Sequence, residues 1–126
     1  MAEAEAAQTY VMAHAYTPRA ITRAVRCGAR TIEHGNLVDA AAARVMREHG
    51  AYVVPTLITY DALARDGERL GLPADSVAKI ETVRQAGRDS LAIYAEAGVP
   101  MGFGSDLLGE MHQYQSEEFR IRAELL

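Results

Sequence analysis

The sequence predicts an α/β fold built on a parallel sheet, and three of its features carry that prediction. Short apolar or β-branched runs alternate with stretches of helical spacing, the pattern of strands joined by right-handed helical crossovers. The first three runs begin near Tyr10, Thr31 and Ala51. That recurrence of about 20 residues allows one tight strand–helix unit each, the rhythm of a barrel. Three runs also end on side chains with chemistry: His14, His34 and Asp106. In barrels and open parallel sheets alike, sites form at the C-terminal strand ends. These residues, with Pro55 and Thr56, are therefore expected on one rim.

The elements follow in order. Residues 1–9 are acidic and alanine-rich and read as the end of a helix, and Tyr10–Ala13 leads as a strand into His14. Thr17-Pro18 opens a helix, with threonine at the cap and proline in the first turn. Ile21, Ala24 and Val25 form its apolar face, Arg19, Arg23 and Arg26 the other side, and Gly28 closes it. Thr31–Glu33 is the second strand, and alternation turns Glu33 to the face opposite His34, which suits a structural role. Asp39 caps a helix over Ala40–His49, with Val45 and Met46 inward; His49 suits the dipole at its end, and Gly50 stops it. Ala51–Pro55 is the third strand, apolar enough to be buried on both faces.

A short helix is expected over Asp61–Leu70 and a long one over Asp75–Ala97, with Asp61 and Asp75 as helix-start carboxylates. Along the long helix Val77, Ile80, Val83, Gly87, Leu91 and Tyr94 fall at helical spacing. Gly98 ends it, and Val99-Pro100-Met101 leads into a fourth strand, Gly102–Asp106. After a polar loop, Ser116 caps a last helix, with Glu117 and Glu118 at its positive end and helical spacing through Phe119, Arg122, Ala123 and Leu126.

Composition bounds the function classes. The chain has 126 residues, 49% hydrophobic and 24% charged, the balance of one ordinary soluble domain. A net charge of −4 with Lys79 as the only lysine and no basic patch argues against a nucleic-acid partner. No apolar run approaches the ~18 residues of a membrane span, and residues 1–9 lack the pattern of a signal peptide. One cysteine, Cys27, excludes an internal disulfide and fits a reducing, cytoplasmic compartment; beside Gly28 it is expected as a small buried residue.

Imidazole nitrogen and carboxylate oxygen are ligands that zinc and related divalent ions accept, and such an ion acidifies water and polarises a carbonyl. His14, His34 and Asp106 therefore suggest one metal-binding pocket. Tyr16, two residues after His14, places a phenol where it could stabilise an oxyanion. Each residue also has a plainer reading: His14 as a helix cap, His34 before Gly35-Asn36 as a turn residue, Asp106 as a turn former. Tyr60 and His112 are candidates for the substrate side.

The stretches Val11–Tyr16, Thr31–Gly35 and Met101–Asp106, with Tyr52–Leu57, resemble the amidohydrolase superfamily. The nearest branch resembles the imidazolonepropionase-like hydrolases and the dipeptidases that cleave Xaa-Pro or Xaa-Arg/Lys. The resemblance implies a (β/α)8 barrel with one or two divalent metals at its C-terminal rim. It implies metal ligation by His14 and His34 at the ends of strands five and six. Asp106, ending strand eight, would be both ligand and proton acceptor for the attacking water, and Tyr16 would contact the substrate carbonyl. The family's His-x-His of strand one is absent, and Lys79, in a helix, cannot be the strand-four lysine.

Residues 1–126 are accordingly expected to be the C-terminal half of the catalytic domain, a partial barrel of about four β/α units matching strands five to eight. The implied activity is hydrolysis of a C–N bond in a small amide, dipeptide or cyclic amide, with zinc as the metal expected first. The chain is expected to need the missing N-terminal half or self-association. One alternative is a catalytically silent half-barrel; another is an open α/β ligand-binding domain without metal, which leaves the His-His-Asp set without a role.

Overall fold

The computed structural model describes the backbone of residues 1–126 and the side chains except those of Ala74, Val77 and Ala78; Val77, assigned above to the long helix's face, lies outside the described side chains. The fold is α/β, as the alternation predicts. Strands β1 (Met12–Ala15), β2 (Thr31–His34) and β3 (Tyr52–Val54) form a parallel sheet in that order. The helices are α1 (Ala2–Ala6), α2 (Pro18–Arg26), α3 (Ala40–Glu48), α4 (Leu57–Asp66), α5 (Ala74–Ala97) and α6 (Glu117–Leu125), with a 3₁₀ turn over Gly109–Tyr114.

Register assigns the two faces of the sheet. Ala13, Ile32 and Val53 lie side by side and pack under α2, α3 and α5 with Ile21, Val25, Met46 and Tyr94. Met12, Thr31 and Tyr52 form one row of the other face, and His14, Glu33 and Val54 the next. This second face is open: Met12 is 56% and Tyr52 43% exposed. β3 is thus buried on one face only, where its composition suggested both. A second apolar cluster gathers Leu57, Ile58, Ala62, Leu91, Leu107, Met111 and Ile121 between α4, α5 and the C-terminal segment.

The helix starts follow local chemistry. Thr17 Oγ1 accepts from the Ala20 amide and Asp39 from the Ala42 amide, as N-caps do. Four expectations need correction. The fourth strand is a single bridge, Val53 to Met101, with Val53 N–H donating to Pro100 and Gly102 N–H donating to Val53; Gly102–Asp106 is irregular. The reason is steric: a Cβ on Gly104 would stand 2.6 Å from Val54 Cγ1, so the chain passes close over β3 at a glycine.

The helix expected from Asp61 starts four residues earlier at Leu57, so Asp61 lies mid-helix, bridging Arg84 and Arg88 of α5 at 3.1 and 2.6 Å. On α6 the buried stripe is Glu118 and Ile121, while Phe119 is exposed and stacks on Phe103; Ser116 makes no side-chain cap bond. Cys27 is exposed rather than buried, because it follows the last turn of α2 on the outer surface.

Gly35 carries a further constraint. Its φ is +63°, and the Tyr94 hydroxyl, reaching from α5, donates to its carbonyl at 2.9 Å in the space a Cβ would need. Gly50 has nearly the same φ, +64°, with nothing within 4 Å of its would-be Cβ. Urea denaturation should therefore separate two alanine variants. Gly50→Ala should cost about 1 kcal/mol, from backbone strain alone. Gly35→Ala should cost at least about 1 kcal/mol more, from overlap with Tyr94. Equal losses would mean that Tyr94 does not fix this turn.

Candidate functional site

His14 enters the site from the open face of β1, in register with Glu33 of β2. His34 pairs with Ala15, whose side chain is buried toward the helices, so regular pleating would send the imidazole that way too. It escapes because His34 has φ +73°, a left-handed conformation at the last strand residue, followed by left-handed Gly35. The ring leaves the pleat and meets His14, Nε2 to Nδ1, at 2.6 Å. Its other nitrogen, Nδ1, stands 2.8 Å from Thr56 Oγ1 at the end of β3. Asp106 also takes a left-handed φ, +52°, and its backbone carbonyl accepts from Thr59 Oγ1 at 3.0 Å.

These residues line one cleft of about 190 Å³, formed by His14, Glu33, His34, Val54, Thr56, Gly104 and Asp106. Two sequence-based placements change here. Glu33 was expected on the far face from His34, yet both line the cleft, Glu33 because it follows the pleat and His34 because it does not. Thr31 Oγ1 holds the Glu33 carboxylate at 2.6 Å. Thr56 was placed on the rim without a role, and the structure makes it the partner of His34.

Tyr16 stacks on His34, with centroids 4.9 Å apart and planes within 9°, and its hydroxyl lies 2.7 Å from that of buried Tyr60. The two tyrosines thus form one hydroxyl pair beside the histidines. Burial raises the Tyr60 pKa first, and its bond to Tyr16 adds to this, so the phenol stays protonated. His112 is exposed on the 3₁₀ turn and does not line the cleft. His49 Nδ1 lies 2.9 Å from the Val45 carbonyl, a local contact at a helix end, as its position suggested.

Among the described residues no three His, Cys, Asp or Glu side chains are grouped so as to hold a metal as they stand. The donor chemistry nonetheless fits one. Two nitrogens on a tetrahedral zinc stand about 3.3 Å apart, so His14 and His34 would part by less than about 1 Å. Thr56 on Nδ1 leaves Nε2 of His34 facing the pair, the outer-sphere arrangement that fixes a ligand imidazole. Asp106 supplies a carboxylate to the same cleft.

Burial lowers the His34 pKa below 6.5, and His14 adds to the lowering, while Asp106 and Glu33 oppose it. The folded imidazole is therefore neutral where the unfolded one, near 6.5, begins to take up a proton. The unfolded state then binds more protons, so stability falls as pH drops from about 7 toward 5. With chelator present, urea midpoints should decline over that range in the parent and decline less in His34→Gln. Parallel declines would remove His34 as the group responsible.

The profile of the amidohydrolase family matches residues 1–125. Among solved structures, a prolidase complexed with N-methylphosphonate-L-proline superposes with TM-score 0.96 at 74% identity, covering 99% of this chain and 31% of that one. A crystallised amidohydrolase gives 0.95 at 66% identity, covering 99% and 30%. A Xaa-Pro dipeptidase with methionine bound in its active site gives 0.82 at 27%, covering 98% and 30%. An uncharacterized protein of Mycobacterium tuberculosis (strain ATCC 25618 / H37Rv) is 30% identical over 96 residues, 76% of this chain and 26% of that protein. The chain thus spans about a quarter to a third of the length of these relatives. Its matched stretch and small parallel sheet agree: the chain belongs to the amidohydrolase family.

Proposed function

We propose that this chain is the C-terminal half of the catalytic barrel of a metal-dependent hydrolase that cleaves a C–N bond in small amides, with Xaa-Pro dipeptides the substrate class favoured. The observation that carries the reading is the cleft in which His34 Nε2 and His14 Nδ1 converge at 2.6 Å beside Asp106. The 74% identity to the prolidase supports the substrate class. The open sheet face with Met12 and Tyr52 exposed supports a missing complement, since a barrel buries that face.

In this reading His14, His34 and Asp106 hold a divalent ion, zinc being the one their donor set suits first. When bound, the ion acidifies water and polarises the scissile carbonyl. Asp106 accepts a proton from the attacking water at its carboxylate and passes it to the leaving nitrogen, as a general base and then a general acid. Its carboxylate is solvent-exposed and free of side-chain hydrogen bonds among the described residues, which leaves one oxygen for the ion and the other to take and give the proton. The Tyr16 hydroxyl, oriented by Tyr60 at 2.7 Å, donates to the developing oxyanion. Glu33, held by Thr31, lines the same cleft beside the histidines.

A silent half-barrel is the second reading, favoured by the lack of a ready three-ligand group among the described residues. Two measurements test the proposal. Zinc titrated into the chelator-stripped chain should bind substoichiometrically, and His14→Ala/His34→Ala should abolish that binding; equal zinc in both would remove the site. A hybrid prolidase carrying residues 1–125 of this chain in place of its own matching segment should hydrolyse Xaa-Pro dipeptides, while the chain alone should not. In the hybrid, Asp106→Asn should lower kcat/KM by about 10²–10⁴-fold. A folded, zinc-loaded hybrid without turnover would favour the silent reading.

A further inference from the structure

Helix α4 begins at Leu57 with Thr56 as its N-cap, and a threonine there ordinarily turns its hydroxyl onto an amide two or three residues on. Thr56 makes no such bond; its Oγ1 is engaged with His34 Nδ1 at 2.8 Å. The amide thereby left over, Ile58 N–H, donates instead to Glu118 Oε2 at 2.8 Å, across 60 residues of sequence. Glu118 is fully buried, and its other oxygen accepts from Arg122 Nε at 2.8 Å. The two terminal nitrogens of Arg122 donate to the carbonyls of Pro55 and Gly102, each at 2.6 Å. One side-chain pair on α6 therefore grips the residue before Thr56, the first turn of α4 and the segment leading to Asp106.

A helix start has a fixed number of amides to satisfy, and in the rotamer it adopts Thr56 Oγ1 meets the imidazole and none of those amides. We propose that Glu118 is a positioning residue for the site: by capping α4 from α6 it releases the Thr56 hydroxyl to orient His34. Loss of the Glu118 acceptor returns the hydroxyl to the helix and leaves the His34 ring without its outer partner. This rests on the reading above only in treating His34 as functional. Its test reads the ring and the helix cap rather than turnover, so either can fail alone.

Deleting Glu118 by itself would strand a buried guanidinium, so the comparison uses two pairs without buried charge: Glu118→Gln/Arg122→Met, which keeps an acceptor, and Glu118→Leu/Arg122→Met, which does not. In the full chain, metal-free and labelled with ¹⁵N-histidine, Thr56→Val gives the His34 Nδ1 resonance of a ring without its partner, and His34→Gln assigns the signal. The Gln pair should keep the parent resonance, and the Leu pair should move at least about half way to the Thr56→Val value. Adding Thr56→Val should then lower the folding constant about fivefold more in the Leu pair than in the Gln pair, because only there has the hydroxyl become the cap. A second measurement needs no change at α6: in Thr56→Val the Ile58 amide should keep its protection from hydrogen exchange. Identical His34 resonances in the two pairs, or an Ile58 amide exposed by Thr56→Val, would overturn the proposal.

Discussion

The structure turns on the left-handed pair His34–Gly35. Strand geometry alone would bury the His34 imidazole among the helices; two consecutive positive φ values send it to the rim. That conformation costs free energy at a non-glycine residue, of order 1–3 kcal/mol, and persists because its surroundings over-determine it. The Gly35 amide donates to Ala15 of β1 at 3.1 Å, and its carbonyl accepts from Tyr94 on α5. The sheet and the long helix thus both hold the turn, and the apolar core under α5 acts directly on the orientation of a site residue.

A second support comes from the far end of the chain. Thr56, Thr59 and Tyr60, at the β3–α4 junction and in the first turn of α4, reach His34, Asp106 and Tyr16 respectively. That junction is fixed in turn by Glu118 and Arg122. A buried, hydrogen-bonded ion pair of this kind contributes little net stability against an apolar replacement, but it imposes one geometry. Its carbonyl contacts explain how an irregular stretch such as Gly102–Asp106 keeps its place with only one bridge to the sheet.

Much of this was legible in the sequence, because it depends on local pattern. Strand runs, glycine stops and the caps Thr17 and Asp39 are written in neighbouring residues, and the ends of the first two parallel strands bring His14 and His34 to one rim. What failed depends on backbone detail or distant partners. Pleat alternation misplaced Glu33 relative to His34 because nothing in Glu33-His34-Gly35 states that the histidine, too, is left-handed. Gly102–Asp106 has strand composition, but Gly104 marks close passage over Val54 instead of pairing. Glu118 reads as a dipole-favoured carboxylate at the start of α6, and only the fold brings it to Ile58. A usable signal was a threonine at a strand–helix junction with no acidic residue three positions on, which leaves the cap open to a remote acceptor.

The site residues are held with graded firmness, and the grading suits their chemistry. His34 is buried and contacted by His14, Thr56 and the Tyr16 ring. His14 rides on a strand but faces the open side of the sheet. Asp106 is anchored through its backbone carbonyl while its carboxylate stays unbonded among the described residues. A ligand gains from immobility, because its geometry sets affinity. A group that takes a proton from one atom and gives it to another needs a fixed root and a free head. The same backbone device, a left-handed residue at the end of a strand-like run, serves both: at His34 it aims a ring that is then clamped, and at Asp106 it aims a carboxylate whose oxygens carry no side-chain hydrogen bond among the described residues.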